Sequence, residues 1–231
     1  MDHFQEIYQK KAADYHRMID AEDVDGKLLP ALQTVSPLQG KRVLDIGSGS
    51  GRIPLLLTPL ACEVVALELS RAMLREQRLR MAEQGFVHKH IQADMRCLPL
   101  ANHNFDVAIA GWAIGHLCAW YKDSWQQEMT TIIEEMCRVT VAGGMLLILE
   151  TLSTGSYTPA PPTKGLADYY AWLENTWGFQ RQTIQTDYQF ASVEEAVQRT
   201  EFFFGEELAK KIKQNQWARV PEWTGVWSRP A

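Results

Sequence analysis

Residues Arg42 to Ile46 read Arg-Val-Leu-Asp-Ile, a short apolar strand interrupted by one acid, and run straight into Gly47-Ser48-Gly49-Ser50-Gly51 before a helix opens at Arg52. No other stretch constrains the fold as tightly. Alternate glycines tolerate positive φ and lack a Cβ, so backbone amides can come close to a ligand where the following helix begins. The spacing is G-x-G-x-G, whereas the dinucleotide fingerprint is G-x-G-x-x-G, and Asp45 stands two residues ahead of the first glycine. Taken alone, the turn is a nucleotide cradle of unspecified ligand.

What surrounds the turn defines the fold class. Apolar positions at helical spacing run from Phe4 to Ile19, and a shorter helix spans Lys27 to Val35. After the glycine turn a helix is expected over Arg52 to Leu60, with Pro54 in its first turn, where a missing N–H costs little. A strand from Glu63 to Leu67 ends at Glu68, Ser70 is a good N-cap, and Arg71 to Glu83 reads as a helix. Further strands are expected at Phe86 to Gln92, Phe105 to Ala110 and Gly144 to Glu150, with a long helix over Trp125 to Val139. Strands apolar along their length, alternating with helices, call for an α/β fold: a doubly wound, mostly parallel sheet covered on both faces. Beyond Glu150 comes a loop, Thr151 to Gly165, longer than the usual 4 to 6 residues or so. It is followed by a helix near Leu166 to Trp177, a strand near Arg181 to Phe190, two short helices between Ser192 and Gln214, and a strand near Arg219 to Trp227.

Composition narrows the partners. A net charge of −5 provides no basic field for nucleic acid or anionic lipid. The longest apolar run, around Met145 to Leu149, falls far short of the roughly 20 residues of a membrane span. Cys62, Cys97, Cys118 and Cys137 are scattered without a C-x-x-C pair or a secretory leader, so a reduced cytoplasm is expected. His88 and His90 alternate on one strand face with no Cys or acid to complete a ligand set, and no metal is assigned. Arg71, Arg75, Arg78 and Arg80 read as a solvated helix surface.

Three acids fall where ligands bind in open parallel sheets, at or just beyond the carboxyl ends of strands. These are Asp45, Glu68 and Asp94. A carboxylate in the position of Glu68 can accept both hydroxyls of a ribose, but it also lies at the distance expected in dinucleotide folds. Val43-Leu44-Asp45-Ile46 with the glycine turn, Ala66-Leu67-Glu68-Leu69-Ser70, Ala93 to Leu100 and Phe105 to Leu117 occur in an order and spacing that resemble the successive motifs of class I S-adenosylmethionine-dependent methyltransferases, particularly the ubiquinone and menaquinone biosynthesis group. The resemblance covers about Tyr8 to Glu150. It implies a Rossmann-like seven-stranded sheet with an N-terminal helical lid over residues 1–40, a cofactor core over 41–150, and a substrate loop with closing strands over 151–231, the last two strands forming an antiparallel hairpin at the sheet edge, all in one domain. It implies S-adenosylmethionine as cofactor, with Asp45 and Gly47, Ser48, Gly49 and Gly51 at the methionine part. Glu68 and Leu69 would meet the ribose end, Asp94 and Met95 the adenine, and the backbone of Gly111 and Trp112 the sulfonium. Tyr15, in Ala12-Ala13-Asp14-Tyr15, would belong to the lid. The ligand's ammonium suits a turn that carries Asp45, whereas a pyrophosphate would be repelled there.

The expected reaction is in-line methyl transfer to a small-molecule acceptor, for which the protein supplies alignment, water exclusion and, where the nucleophile is weak, a base. His116 is the first candidate base and Glu150, at the end of its strand, the second. Both also have a structural reading, as a helix-terminus histidine and a loop cap. Walls for the acceptor are expected from Tyr8 and Tyr15, the Gly111 to Trp120 segment and the loop after Glu150. The aromatic tail, from Trp172 and Trp177 through Tyr188 and Phe190 to Phe202, Phe203 and Phe204, fits either core or pocket. A protein or RNA methyltransferase, a non-catalytic cofactor-binding module and an NAD-dependent oxidoreductase are the alternatives. Oligomeric state has no signature in the sequence.

Overall fold

The computed structural model describes residues 2–231. Two helices, α1 (His3–Lys10) and α2 (Ala12–Ile19), stand where the apolar spacing runs unbroken. They part at Lys11, which leaves helical geometry at φ −127° and ψ 32° while its amide still donates to the Ile7 carbonyl. Next come α3 (Leu28–Val35), β1 (Arg42–Ile46), α4 (Arg52–Leu57), β2 (Glu63–Glu68), α5 (Arg71–Glu83), β3 (Lys89–Gln92) and β4 (Phe105–Gly111). The short α6 (Leu117–Trp120), α7 (Trp125–Val139), β5 (Thr140–Thr154) and α8 (Lys164–Asn175) follow. The chain closes with β6 (Gln180–Gln185), β7 (Tyr188–Gln189), α9 (Val193–Phe204), α10 (Glu206–Asn215), β8 (Arg219–Val220) and β9 (Glu222–Pro230).

Seven strands form the expected α/β sheet in the order β3-β2-β1-β4-β5-β9-β6, parallel except where β9 runs antiparallel between β5 and β6. Alternate residues face opposite ways along a strand, and the sheet uses both faces. Leu44 and Ile148 meet Met129, Ile132 and Met136 of α7 and Tyr169 and Leu173 of α8. Val43 and Leu149 meet Leu28 and Leu32 of α3 and Ile53 and Leu57 of α4. The helix α3 thus belongs to the layer covering the sheet, and α1 and α2 remain of the helices expected to form a lid. A third cluster joins Met18 and Ile19 of α2 to Ala196, Leu208 and Ile212 of α9 and α10, which ties the lid to the C-terminal helices.

Several boundaries differ from the sequence expectation for identifiable reasons. The helix after the glycine turn ends at Leu57 and passes into a 3₁₀ turn over Thr58–Leu60 that contains Pro59. The third strand begins at Lys89 because its pairing with β2 starts there, opposite Val65, and leaves Phe86 and Val87 exposed beyond the ladder. The strand expected over Arg181 to Phe190 divides, since the Asp187 carboxylate accepts from the Glu222 amide at 3.0 Å and from Arg219 Nε at 2.8 Å and turns the chain out of the sheet. Tyr188 then pairs with Val220 in a separate two-stranded ribbon. Pro221, which has no N–H to donate, divides the last strand at the same level. The closing strands β6 and β9 do pair antiparallel at the sheet edge, but residues 186–221 intervene, so they do not form a simple hairpin. The long loop is shorter than expected because β5 continues to Thr154 and α8 begins at Lys164. Among the described residues no helix is long and apolar enough to cross a membrane.

Gly225 in β9 provides a test of the packing. A Cβ there would lie 2.3 Å from Cζ3 of Trp227, whose ring folds back over the glycine. That ring is held by the bond from its Nε1 to Glu174 Oε1 at 3.0 Å and by Tyr170 at 4.5 Å between centroids. Gly225→Ala is expected to destabilise the fold by about 1 to 3 kcal/mol, as overpacking does. Urea denaturation should show a lowered midpoint with an unchanged slope.

Candidate functional site

The parallel ladder puts the carboxyl ends of β1, β2, β4 and β5 on one edge of the sheet. Asp45 is opposite Ala66 and Ile109, Glu68 closes β2, Gly111 closes β4, and Glu150 lies in β5 just beyond the residue paired with Gly111. Two adjoining cavities, of about 340 and 530 Å³, open over this edge beneath α1 and α2. Tyr8, Tyr15, Arg52, Trp112 and His116 line both.

The smaller cavity surrounds the glycine turn. Gly47, Gly49 and Gly51 have φ of +70°, +53° and +97°, and a Cβ on Gly47 would lie 2.5 Å from the Ala113 Cβ. The turn differs from the sequence expectation in one respect: most of its amides are already used. Those of Gly47 and Ser48 donate to the Leu67 carbonyl, that of Gly51 to the Ser48 carbonyl, and that of Gly49 to Glu68 Oε2 at 2.9 Å. The glycines therefore bring the backbone close without presenting these four N–H groups to a ligand. From the lid, His16 Nδ1 meets Ser50 Oγ at 3.1 Å, and Ser70 Oγ donates to the Tyr8 carbonyl at 3.0 Å.

Asp45 is the anomaly in this cavity. It is 1% exposed, and neither carboxylate oxygen has a hydrogen-bond partner. Burial, then the neighbouring Glu68 charge, holds its pKa well above the usual carboxylate range. Glu68 accepts the Gly49 and Ser70 amides, and burial outweighs those bonds and raises its pKa. A carboxylate has about four lone-pair sites, so it can still accept two hydroxyls. Leu69, Met95, Gly111, Trp112, Tyr15, Gly47, Ser48 and Gly49 also line this cavity. Gly51 and Asp94 do not. Gly51 shapes the turn, and Asp94 is gripped by Arg96 at 2.6 Å from Nη2 and 3.0 Å from Nε, which lowers its pKa.

The larger cavity has Glu150 and His116 in its walls. The Glu150 carboxyl is buried, accepts the Gly115 amide at 2.8 Å, and is pushed up to about 8 by burial, against the pull of that bond. His116 Nε2 is 2.8 Å from the Tyr8 hydroxyl, and its ring stacks on Trp120 at 5.2 Å. Burial brings its pKa down to about 4, so it is neutral at pH 7. Of the aromatic tail, Tyr188, Phe203 and Phe204 line this cavity, whereas Trp172 and Trp177 pack in the main core and Phe190 in the lid cluster.

Sequence reasoning passed over Glu22 and Arg52. Arg52 Nη1 donates to Glu22 Oε2 at 2.7 Å, and its guanidinium lies 3.9 Å from the Trp112 ring centre. The pair latches the end of the lid to the first turn of α4, and Trp112 adopts a left-handed φ of +51° against it. The position of Arg52 directly after the glycine turn was the available signal, but Glu22 had none. Among the described residues no group of three or more His, Cys, Asp and Glu comes together as a metal site.

Residues 44–148 match the methyltransferase domain family. A ubiquinone/menaquinone biosynthesis C-methyltransferase of Coxiella burnetii is 30% identical over 137 residues, which are 57% of this chain and 50% of that protein. An uncharacterised protein of Mycobacterium tuberculosis is 30% identical over 145 residues, 62% of this chain and 49% of its own. The chain thus spans about half the length of the curated relatives it matches. Among solved structures, a phosphoethanolamine N-methyltransferase of Haemonchus contortus in complex with S-adenosyl-L-methionine shares the fold, with a TM-score of 0.60 at 14% identity over all of this chain and 60% of that one.

The electrostatics of Glu150 can be read from stability. Its pKa is raised on folding, so between about pH 4.5 and 8 the native state binds more proton than the unfolded one, and stability falls as pH rises. Glu150→Gln keeps an acceptor for the Gly115 amide and removes this dependence. The variant is expected to gain on the parent protein by up to about 1.4 kcal/mol per pH unit across that window, measured by urea denaturation at a series of pH values. A constant difference would show that Glu150 is ionised in the folded protein.

Proposed function

Since residues 44–148 form a methyltransferase domain of the class I S-adenosylmethionine-dependent family, we propose that the chain transfers a methyl group in line to a small molecule held in the larger cavity. The observation that carries this reading is the pair of adjoining cavities, with the unpartnered Asp45 carboxyl in the smaller one. Bound there, the cofactor supplies an electrophilic methyl on a sulfonium. Asp45 takes the ammonium of the methionine part, which satisfies a buried carboxyl that the chain leaves alone. Glu68 holds the ribose with Leu69 beside it, and Met95 borders the adenine. Asp94, committed to Arg96, orders the turn that carries Met95. Gly47, Ser48 and Gly49 permit close approach, while Gly51 sets up the turn.

In-line transfer requires acceptor atom, methyl carbon and sulfur in a row. Tyr8, Tyr15, Trp112 and His116 line both cavities, and a donor held in the smaller one would meet an acceptor in the larger one along this wall. The lid closes over it and excludes water. A base works best with a pKa near the operating pH, so Glu150 takes the proton and His116, neutral and bonded to Tyr8, positions. This reverses the order in which the sequence ranks them. The four unpaired cysteines support a cytoplasmic location.

Calorimetric titration should show binding of S-adenosylmethionine and its demethylated product and no binding of NADH, and binding of NADH alone would overturn the proposal. Glu68→Ala should weaken cofactor binding by about 1 to 3 kcal/mol, the usual cost of losing a charged hydrogen-bond partner. Unchanged affinity would remove Glu68 from the ribose.

A further inference from the structure

We propose that the acceptor is an amine, received as its ammonium ion between Glu150 and the aromatic walls of the larger cavity. The inference rests on the methyltransferase reading and adds the class of acceptor. Its first support is a charge without a partner. Glu150 is 6% exposed, and the hydrogen bond it accepts is from the neutral Gly115 amide, with the buried Tyr169 phenol nearby and no lysine or arginine acting on it. Among the described residues the one cation deep in this cavity, Arg52, is already paired with Glu22 and stacked on Trp112. Lys211 lies on the exposed rim. A buried carboxyl facing a cavity whose deep cation is already paired is complemented by a ligand that brings one.

The second support is independent of charge on the protein. Phe4, Tyr8, Tyr15 and Phe203 line the cavity as mutually tilted panels, with centroid separations of 5.2 Å for Phe4 and Phe203, 5.4 Å for Tyr8 and Tyr15, and 5.4 Å for Tyr15 and Phe203. Ring faces attract cations, and desolvated ammonium ions gain about 2 kcal/mol or more from such contacts. Tyr170 adds a further ring beside Glu150. A phosphate or carboxylate acceptor would face Glu150, and among the described residues the unpaired cation it would find is Lys211 at the exposed rim. A neutral phenol would fill the space and leave the carboxyl uncompensated.

The chemistry balances on these groups. The bound ammonium gives a proton to the Glu150 carboxylate, and the freed nitrogen lone pair forms the N–C bond to the methyl carbon. The C–S electron pair returns to sulfur as that bond breaks, leaving a neutral thioether. The product is a methylated ammonium, still a cation suited to the aromatic walls, and Glu150 passes its proton to water.

The direct probe is a pair of isosteres, choline and uncharged 3,3-dimethylbutan-1-ol, titrated calorimetrically into the full chain saturated with S-adenosylhomocysteine. Choline is expected to bind at least tenfold more tightly, with an affinity that rises by up to tenfold per unit between pH 6 and 8 and then levels as Glu150 becomes fully ionised. Other groups facing Glu150 lie outside that window: Tyr8, Tyr169 and Tyr170 are raised above the usual phenol range, Cys118 is pushed up to about 12, and His116 is down at about 4. Asp168 on α8 is paired with Lys164, and Glu222, also raised by burial, lies on the Arg52 side with Glu22. Glu150→Gln should cut choline binding at least tenfold at pH 8 and abolish its pH dependence without changing affinity for S-adenosylhomocysteine, which separates Glu150 from Glu222. In a second arm, labelled methyl donor offered with alkylamines, phenols and thiols should label the amines. Choline binding no tighter than the alcohol, or label found only in phenols or thiols, overturns the amine assignment and leaves the methyltransferase reading intact. Failure of S-adenosylhomocysteine itself to bind overturns that reading instead.

Discussion

Taking a carboxyl out of water without a cation beside it costs several kcal/mol, and this chain does so repeatedly at one edge of its sheet. Asp45 and Glu150 are both buried there with no basic partner, and Glu222, buried close by, has one oxygen unbonded. Such costs are tolerated where a ligand offsets them, and their distribution divides the edge into two stations. Asp45 marks the one beside the glycine turn, and Glu150 marks the one beneath the aromatic walls. The sheet makes the arrangement possible: parallel strands carry Asp45 and Glu150 to the same end, and antiparallel β9 begins there with Glu222.

The lid completes the enclosure through a small number of polar bonds over an apolar base. His16 reaches Ser50, Tyr8 reaches His116, and Glu22 reaches Arg52, so each lid element touches a residue that also bounds a cavity. Met18 and Ile19 anchor the same helix to α9 and α10, which brings Phe203 and Phe204 over the larger cavity. Residues from the two ends of the chain thus form the roof of the larger cavity, while the smaller one is floored by β1, β2 and β4.

The sheet and the edge that carries the glycine turn were legible in the sequence because their signals are local. The strand-turn-helix around Gly47 and the acid closing β2 are read from neighbouring residues, and their places in the fold follow from the parallel ladder. The commitment of Asp94 to Arg96 was not legible, since an acid two residues from an arginine reads the same whether or not the pair closes. Nor was the Glu22 to Arg52 latch, which joins residues with no shared motif. The order of the candidate bases also depended on three dimensions. His116 has a near-neutral pKa in water and Glu150 does not, but burial moves the first down and the second up. The division of the C-terminal strands at Asp187 and Pro221 came from a tertiary contact on one side and a missing amide on the other, of which only the proline is visible in sequence.

The central claim is that the two cavities are one reaction path with the cofactor sulfur at their common wall. A crystal structure of the chain with S-adenosylhomocysteine tests it most directly. The account predicts the ligand's ammonium within ~3 Å of an Asp45 carboxylate oxygen, the ribose on Glu68, and the sulfur facing the wall of Tyr8, Trp112 and His116. A ligand seated away from the glycine turn, or with its sulfur turned from the larger cavity, would contradict it.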